Sequence, residues 1–296
     1  VGSVFCRAAP FSGRFLPLVC YPERDMLTRV LGPLINNSPN LKRTLWRRWY
    51  EFLARGYPLD DWTFMNYGFA PTRESNLPPL VLDAQDEPDR CSIHLYHRVV
   101  TAVDVRGARV LEVGSGRGGG CSYIARYLGP EAVLGIDFSD NAVALSRRRH
   151  TAPGLSFQQG DAEALPCEDA TFDAVVNVES SHCYGSMERF LAEVVRVLKP
   201  GGHFLWTDMR PKGERAAVRE QFRAAGLEMV EEEEITPYVL AALDYVNERK
   251  RETISRHVPR FLMPWFEDFA GVRGTRVYES LRAGDVEYWR CALRKV

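Results

Sequence analysis

The sequence predicts an α/β fold built on a mostly parallel sheet with helices on both faces. Three observations point there. Strand-like and helix-like stretches alternate from 108 to 225, the pattern of successive βαβ units. The apolar run Val110-Leu-Glu-Val113 passes directly into a glycine-dense turn, Gly114-Ser-Gly-Arg-Gly-Gly-Gly120. The 296 residues are enough for one such domain with additions.

Taken in order, residues 1–22 carry Phe5, Pro10, Phe11 and Phe15 without a period and read as an irregular arm. Two helices are expected next. Pro22 to Ile35 places Met26, Leu27, Val30, Leu31 and Leu34 at helical spacing. Ser38-Pro39 starts a second helix, to about Arg55, whose Leu45, Trp46, Trp49, Tyr50 and Leu53 form a stripe suited to core packing. Residues 56–88, rich in proline and acid, are expected to cross the front of the domain as a loop.

A helix from Asp89 to Val105 then leads into the first strand. Its His94 and His97 point to packing or hydrogen bonding, because a metal site needs further ligands and none is near in sequence. Strands are expected at 108–113, 133–137, 155–159, 173–178 and 202–207, with the helix Cys121–Leu128 following the glycine turn. Leu227 onward is strand-like, and Glu231–Glu234 form an acidic edge that discourages further pairing. Thr236-Pro237 opens another helix, with Val239, Leu240, Leu243 and Val246 along one side. A last strand runs from Val286 to Leu293. The expected organisation is an N-terminal extension (1–88), a ligand-binding core (89–235), an insertion (236–284) and the core's last strand (285–296).

Composition narrows the function. A formal net charge of −1 argues against a nucleic-acid groove, which needs a basic face. Arg147-Arg-Arg149, the densest basic run, reads as a solvated helix face. The seven cysteines are scattered and form no Cys-x-x-Cys pair, as expected for a reducing, cytoplasmic setting without a zinc site or disulfide framework. No apolar run reaches the length of a membrane span. The chain begins Val-Gly-Ser, which suits a processed terminus, a cloning boundary or a segment cut from a longer polypeptide.

The glycine turn marks a nucleotide-type site at the carboxyl edge of the sheet. Gly114, Gly116 and Gly118 let the backbone turn sharply and lie against a ligand. The spacing Gly114-x-Gly116-x-x-Gly119 alone also fits a dinucleotide fingerprint. Three neighbours separate the readings. Asp137 ends the next strand at roughly the twenty-residue distance where an acid grips ribose hydroxyls. Asp161-Ala162 ends a third strand, where an acid can reach an adenine amine. Glu112 places negative charge beside the loop, which repels a pyrophosphate and attracts the ammonium and sulfonium of S-adenosylmethionine. An acid at that position is costly unless it meets a cation. The expected cofactor is therefore S-adenosylmethionine, with Ser115, Phe138 and Asn177 completing the contacts of the strand ends.

Five segments carry a resemblance: Leu111-Glu-Val-Gly-Ser-Gly116, Gly135-Ile-Asp137, Gly160-Asp-Ala162, Phe172-Asp-Ala-Val-Val-Asn177 and Leu198-Lys-Pro-Gly-Gly202. In this order they resemble the motif series of class I S-adenosylmethionine-dependent methyltransferases, over about 105–235. Met65-Asn-Tyr-Gly68, Leu95-Tyr-His97, Glu179-Ser-Ser-His-Cys-Tyr184, Asp208-Met-Arg-Pro211 and Gly271-Val-Arg-Gly-Thr275 extend the similarity. They resemble phthiotriolone dimycocerosate-type O-methyltransferases and the O-methyltransferase domains of polyketide synthases. The resemblance implies a Rossmann-like fold with a seven-stranded, mostly parallel sheet whose last strand is antiparallel, N-terminal helices, and a helical lid insertion over the acceptor. It also implies that Tyr67 lies over the cofactor.

Methyl transfer from a sulfonium is an in-line displacement helped by alignment and a dry site. An alcohol acceptor needs a base in hydrogen-bond reach. His182, just after the fourth strand, is the candidate base, with Glu179 or Asp208 expected to orient it. Loop packing is the plainer alternative for His182, and cofactor binding or loop closure for Glu179. The expected acceptor is a hydrophobic polyketide or lipid-like hydroxyl, free or tethered to a carrier protein, with neighbouring synthase domains as partners. No metal is expected, because no second acid sits beside Asp208. C-methylation of tocopherol or sterol type and a non-catalytic cofactor-binding module are the alternatives.

Overall fold

Among the described residues, seven strands form one sheet in the order β3-β2-β1-β4-β5-β7-β6. They are β1 (Arg109–Val113), β2 (Ala132–Asp137), β3 (Leu155–Gln159), β4 (Phe172–Val178), β5 (Leu198–Pro211), β6 (Leu227–Glu234) and β7 (Val286–Lys295). β1 through β5 pair in parallel, and β7 runs antiparallel to both β5 and β6. The sheet therefore agrees with the expected fold class. The computed structural model describes residues 62–72 and 75–296. The arm at 1–22 and the two helices anticipated at 22–35 and 38–55 lie outside the described residues.

Alternation along each strand divides the core into two layers. Val110 and Leu111 are both fully buried but on opposite faces, as are Val176 and Val175, and Leu205 and Phe204. One face is covered by α1 (Arg90–Val100), α2 (Gly119–Tyr127) and α6 (Thr236–His257), whose Leu95, Ile124 and Val239 join the same cluster. The other face takes α4 (Met187–Val197) and α5 (Arg215–Ala224) through Phe190, Leu191 and Phe222. A further helix, α3 (Asp140–Arg149), follows β2 and starts from Ser139, whose side chain accepts the Ala142 amide. Arg147 and Arg148 on it are exposed, as a solvated face requires, although the Arg147 guanidinium also reaches the Phe157 carbonyl at 2.7 Å.

Between β6 and β7 the chain forms α6, α7 (Met263–Phe269) and α8 (Arg276–Ala283). The start of α6 is tied to β7, where the Tyr288 amide donates to the Thr236 hydroxyl at 2.8 Å. The acidic run on the edge strand β6 does more than discourage pairing. Glu232 binds Arg215 and Arg219, and Glu233 binds Arg98 and Arg290. His97 and His94 are packing residues. Nδ1 of His97 lies 2.7 Å from the Tyr123 hydroxyl, and the His94 ring sits 4.9 Å from that of Phe69.

Strand order reverses direction at β1 and β4. The crevice beyond their carboxyl ends is where open α/β sheets accept ligands, and the loops after β1, β2 and β4 converge there.

Candidate functional site

A cavity of ≈ 150 Å³ opens at this crevice. Its floor is the glycine turn. The Gly114 and Ser115 amides donate to the Ile136 carbonyl at 2.8 and 3.0 Å, which closes the turn against β2. Gly114 has φ +79°, and a Cβ there would lie 2.3 Å from the Ser180 hydroxyl. Gly116 also has a positive φ (+53°), but a Cβ there would meet nothing within 4 Å. At Gly116 the backbone faces open space, and a ligand can lie directly against it.

Of the residues singled out from the sequence, Gly114, Ser115, Gly116, Asp137, Phe138, Asp161, Ala162 and Glu179 line this cavity. Asp137 is clamped by two amides: Oδ2 accepts from Gly116 at 2.8 Å and Oδ1 from Ser139 at 2.9 Å. Each oxygen keeps acceptor capacity for a ligand hydroxyl. Burial pushes this carboxyl above its ordinary value, against the three amides that stabilise its charge. Asp161 accepts the Glu163 amide at 3.0 Å.

Six others are placed differently. Gly118 forms the cap of α2 at φ +82°, and a Cβ there would meet His150 and Phe157 rather than the cavity. Asn177 is buried behind the wall, its amide donating to the Val113 carbonyl at 2.9 Å and the Ser180 hydroxyl at 2.8 Å. Tyr67 borders a second cavity and not the first.

Glu112 departs furthest from expectation. It does not line the cavity. Its carboxylate is fully buried, accepting the Tyr96 hydroxyl at 2.6 Å and the Cys121 thiol at 2.8 Å. Burial pushes it up to about 7, although both donors oppose the rise. Side chains on α1 and α2 supply it with two neutral donors. Tyr96 reaches Glu112 only because position 120 is glycine: a Cβ there would fall 2.0 Å from the Tyr96 ring.

The remaining two, His182 and Asp208, are partners of each other. Nδ1 of His182 lies 2.7 Å from Oδ1 of Asp208, and the His182 amide donates to Oδ2 at 2.9 Å. Asp208 is fully buried. Ser181 donates to its Oδ2 at 2.6 Å, and the Arg210 guanidinium approaches to 2.9 Å. Ser181 in turn accepts from Trp206 at 2.9 Å and from Arg210 at 2.8 Å. Desolvation would raise the Asp208 carboxyl, but Arg210 and His182 beside it hold it well below the usual carboxylate range. His182 lies in the turn that also carries the cavity-lining Cys183, Asp208 lies on β5, and neither residue lines either cavity.

Glu179 is not the partner of His182. Its Oε1 accepts the Tyr67 amide at 2.7 Å and the Tyr288 hydroxyl. Burial pushes its carboxyl up to about 8, and nearby Asp208 adds to the rise. Its backbone adopts φ +47°, a conformation costly for a non-glycine residue. The contact to Tyr67 ties the segment 62–70 to the end of β4. Thr63, Phe64, Met65 and Asn66 of that segment line both cavities and so form the partition between them. The second cavity is larger, ≈ 410 Å³ against ≈ 150 Å³, and is walled by α6 and α7. Phe64, Met65, Val246, Ile254, Phe266 and Phe269 make much of it apolar.

The first cavity suits an adenosyl amino acid. Two buried polar atoms on its wall, Ser115 Oγ and Asn66 Oδ1, have no hydrogen-bond partner among the described residues. Such groups are costly unless a ligand or water engages them. Two acids, Asp137 and Asp161, stand at strand ends beside them. Among the described residues, no group of three His, Cys, Asp or Glu side chains is placed to hold a metal ion. Tyr96, Asn66, Ser181 and Arg210 lie in segments that carried the resemblance, but no role of their own was legible in the sequence. Only the third consecutive glycine, at 120, carried a signal of close approach.

Comparison with known proteins follows the same direction. Residues 111–206 match a family model described as a methyltransferase domain. The chain is 42% identical over 251 residues to the phthiotriol/phenolphthiotriol dimycocerosates methyltransferase of Mycobacterium tuberculosis, covering 85% of this chain and 92% of that one. It is 40% identical over 239 residues to the fatty-acid O-methyltransferase of Mycolicibacterium smegmatis, covering 81% and 85%. Among solved structures, the [4+2]-cyclase SpnF superposes with a TM-score of 0.63 at 22% identity, over 86% of this chain and 96% of that one. That likeness concerns the fold alone.

Proposed function

The chain belongs to the family of the phthiotriol/phenolphthiotriol dimycocerosates methyltransferases and is an S-adenosylmethionine-dependent methyltransferase; on that premise we propose that it methylates a hydroxyl oxygen of a long, lipid-like acceptor, with His182 as general base. The observation that carries this reading is the 2.7 Å contact between His182 Nδ1 and Asp208, one residue from the cavity-lining Cys183.

S-adenosylmethionine supplies an electrophilic methyl group on a positively charged sulfur. The chain's own residues do the rest. Asp137 and Asp161 are assigned the ribose and the adenine amine, and the bare backbone at Gly114–Gly116, with Ser115, the amino-acid end. Asp208, held ionised, accepts a hydrogen bond from His182 Nδ1–H, and this fixes the tautomer whose lone pair is on Nε2. As the acceptor oxygen takes the methyl group, its proton passes to Nε2, and the resulting imidazolium is stabilised by Asp208. Glu179 holds the 62–70 segment across the front of the cavity through Tyr67, which keeps water out.

The second cavity is assigned to the acceptor. It shares a wall with the first and is largely apolar. The acceptors printed in the relatives' names, phthiotriol dimycocerosates and a fatty acid, are lipids. A carrier-tethered polyketide would use the same space. Among the described residues no helix is long and apolar enough to cross a membrane. The described cysteines are all free thiols.

The test supplies methyl-labelled S-adenosylmethionine with a long-chain alcohol or a phenol-headed lipid and reads the product by mass spectrometry. A labelled methyl ether supports the reading. Label on carbon, or none, overturns oxygen transfer.

A further inference from the structure

The charged groups around the second cavity are mostly paired with one another. Arg249 faces Asp89 at 4.0 Å, and Arg256 is paired with Glu252 one turn away on α6. The His257 ring meets the Thr253 carbonyl through Nδ1 at 2.9 Å. Lys250, between these residues on α6, is different. Its ammonium donates to the Ala270 carbonyl at 2.8 Å and lies 5.6 Å from the centre of the Tyr67 ring. Among the described residues it forms no ion pair with a carboxylate.

An ammonium has three N–H donors, and the Ala270 carbonyl accounts for one. Burial pushes Lys250 down to about 8, while Glu179 and Cys91 pull the other way. It is therefore mainly charged at neutral pH. Glu179 lies near enough to favour the charged form of Lys250, yet among the described residues the two form no ion pair. A half-buried ammonium against an apolar wall gains from an anionic partner for its remaining donors. Lys250 lines the apolar cavity assigned to the acceptor, so a ligand placed there can supply that partner.

We propose that Lys250 is a specificity-determining residue that binds a carboxylate at the end of a long hydrocarbon acceptor, so that the second cavity selects acidic over neutral lipids. A hydrocarbon body would occupy the space between Phe64, Val246, Ile254 and Phe266, with the carboxylate against the ammonium and the rim of the Tyr67 ring. The proposal rests on the assignment of this cavity to the acceptor.

The test measures binding of palmitate and of cetyl alcohol to the full chain saturated with S-adenosylhomocysteine, by calorimetry at neutral pH. The two probes share a chain and differ in charge. Palmitate is expected to bind roughly tenfold or more tighter, the usual worth of a charge-assisted hydrogen bond. Lys250→Met is expected to erase that difference and leave alcohol and S-adenosylhomocysteine affinities unchanged, while Lys250→Arg keeps the preference. Equal affinities in the unaltered protein overturn the proposal, whether or not the Met variant folds. A preference that survives in Lys250→Met also overturns it. If neither probe binds, the acceptor assignment of the cavity fails and this inference with it.

Discussion

The imidazole of His182 and the carboxylate of Asp208 come from different strand ends yet meet at 2.7 Å, because β4 and β5 are neighbours in parallel register with Asn177 opposite Trp206 and Val178 opposite Thr207. One step beyond that register the chain after β4 turns through Ser181–Cys183 and returns its amide to the same carboxylate. His182→Ala is expected to lower turnover about 100-fold, the usual contribution of a positioned base, while S-adenosylmethionine affinity stays within a factor of two or so of the original. Single-turnover kinetics alongside calorimetry separate the two effects. Loss of cofactor binding in step with turnover would make His182 a structural residue of the loop.

Asp208 also answers a buried cation. Arg210 is nearly buried and approaches it at 2.9 Å. Asp208→Asn leaves that guanidinium without its counter-charge, which costs about 3–5 kcal/mol in comparable buried pairs. The folded-state value of Asp208 is depressed, so its contribution is present above the ordinary aspartate range and is lost as pH falls through the lowered value. Urea unfolding at neutral and acidic pH is expected to show a large stability gap between the Asn variant and the parent at neutral pH that narrows in acid.

Glu179 has the opposite sign. Its folded-state value is raised to about 8. Stability linked to its protonated form is complete below the ordinary glutamate range and is lost as pH rises through about 8. Glu179→Gln keeps an oxygen to accept the Tyr67 amide and the Tyr288 hydroxyl but cannot ionise. It is expected to remove a decline on the order of 1–3 kcal/mol across that window, measured by denaturant unfolding at several pH values. An unchanged slope would show that Glu179 does not titrate there.

Two glycines of one turn are expected to fail in different ways. Gly116→Ala places a methyl group in open space at the cavity floor, at φ +53°. The αL backbone costs roughly 1–2 kcal/mol, and the methyl group is expected to weaken S-adenosylmethionine binding about tenfold, from lost close contact. Gly120→Ala instead drives a methyl group to 2.0 Å from the Tyr96 ring. Its expected cost is about 1–3 kcal/mol of stability from overpacking, relieved when Tyr96→Ala is added. Unfolding curves and binding isotherms on the same variants distinguish the two outcomes.

The fold was legible because its signals are local. Strand alternation, the glycine turn and the acid ending β2 all lie within short windows, and the core they imply is the one found. The loop residues Gly114, Ser115 and Gly116 and the acids Asp137 and Asp161 could be placed for the same reason. Partners separated by long stretches of chain could not be read. Glu112 meets Tyr96 across 16 residues, and Tyr67 meets Glu179 across 112. Nothing in the local pattern says which side of a strand a helix will approach, or that α1 will offer Glu112 a phenol. The choice between Glu179 and Asp208 as partner of His182 needed β5 to continue to Pro211, well past the apolar run that announced it. Arg210, which fixes the charge of Asp208, lies in that continuation.

Glu112 offers a test of whether charge beside the glycine turn still matters when the acid does not touch the cavity. Its folded-state value is raised to about 7, so near neutrality it is divided between two forms. Tyr96 donates to it at 2.6 Å and also lines the cavity, so the two are one side chain apart. A cationic ligand in the cavity favours the ionised form. By linkage, affinity for such a ligand rises as pH increases through about 7 and levels off above it. S-adenosylmethionine carries a sulfonium and S-adenosylhomocysteine does not. The former is expected to gain a few-fold in affinity across this window, an effect on the order of 1 kcal/mol at high effective dielectric, and the latter to gain less. Glu112→Gln retains the Tyr96 contact and is expected to flatten the difference. Calorimetry with both ligands on either side of neutrality decides it: parallel pH profiles for the two ligands would mean that the buried acid only braces Tyr96 and Cys121.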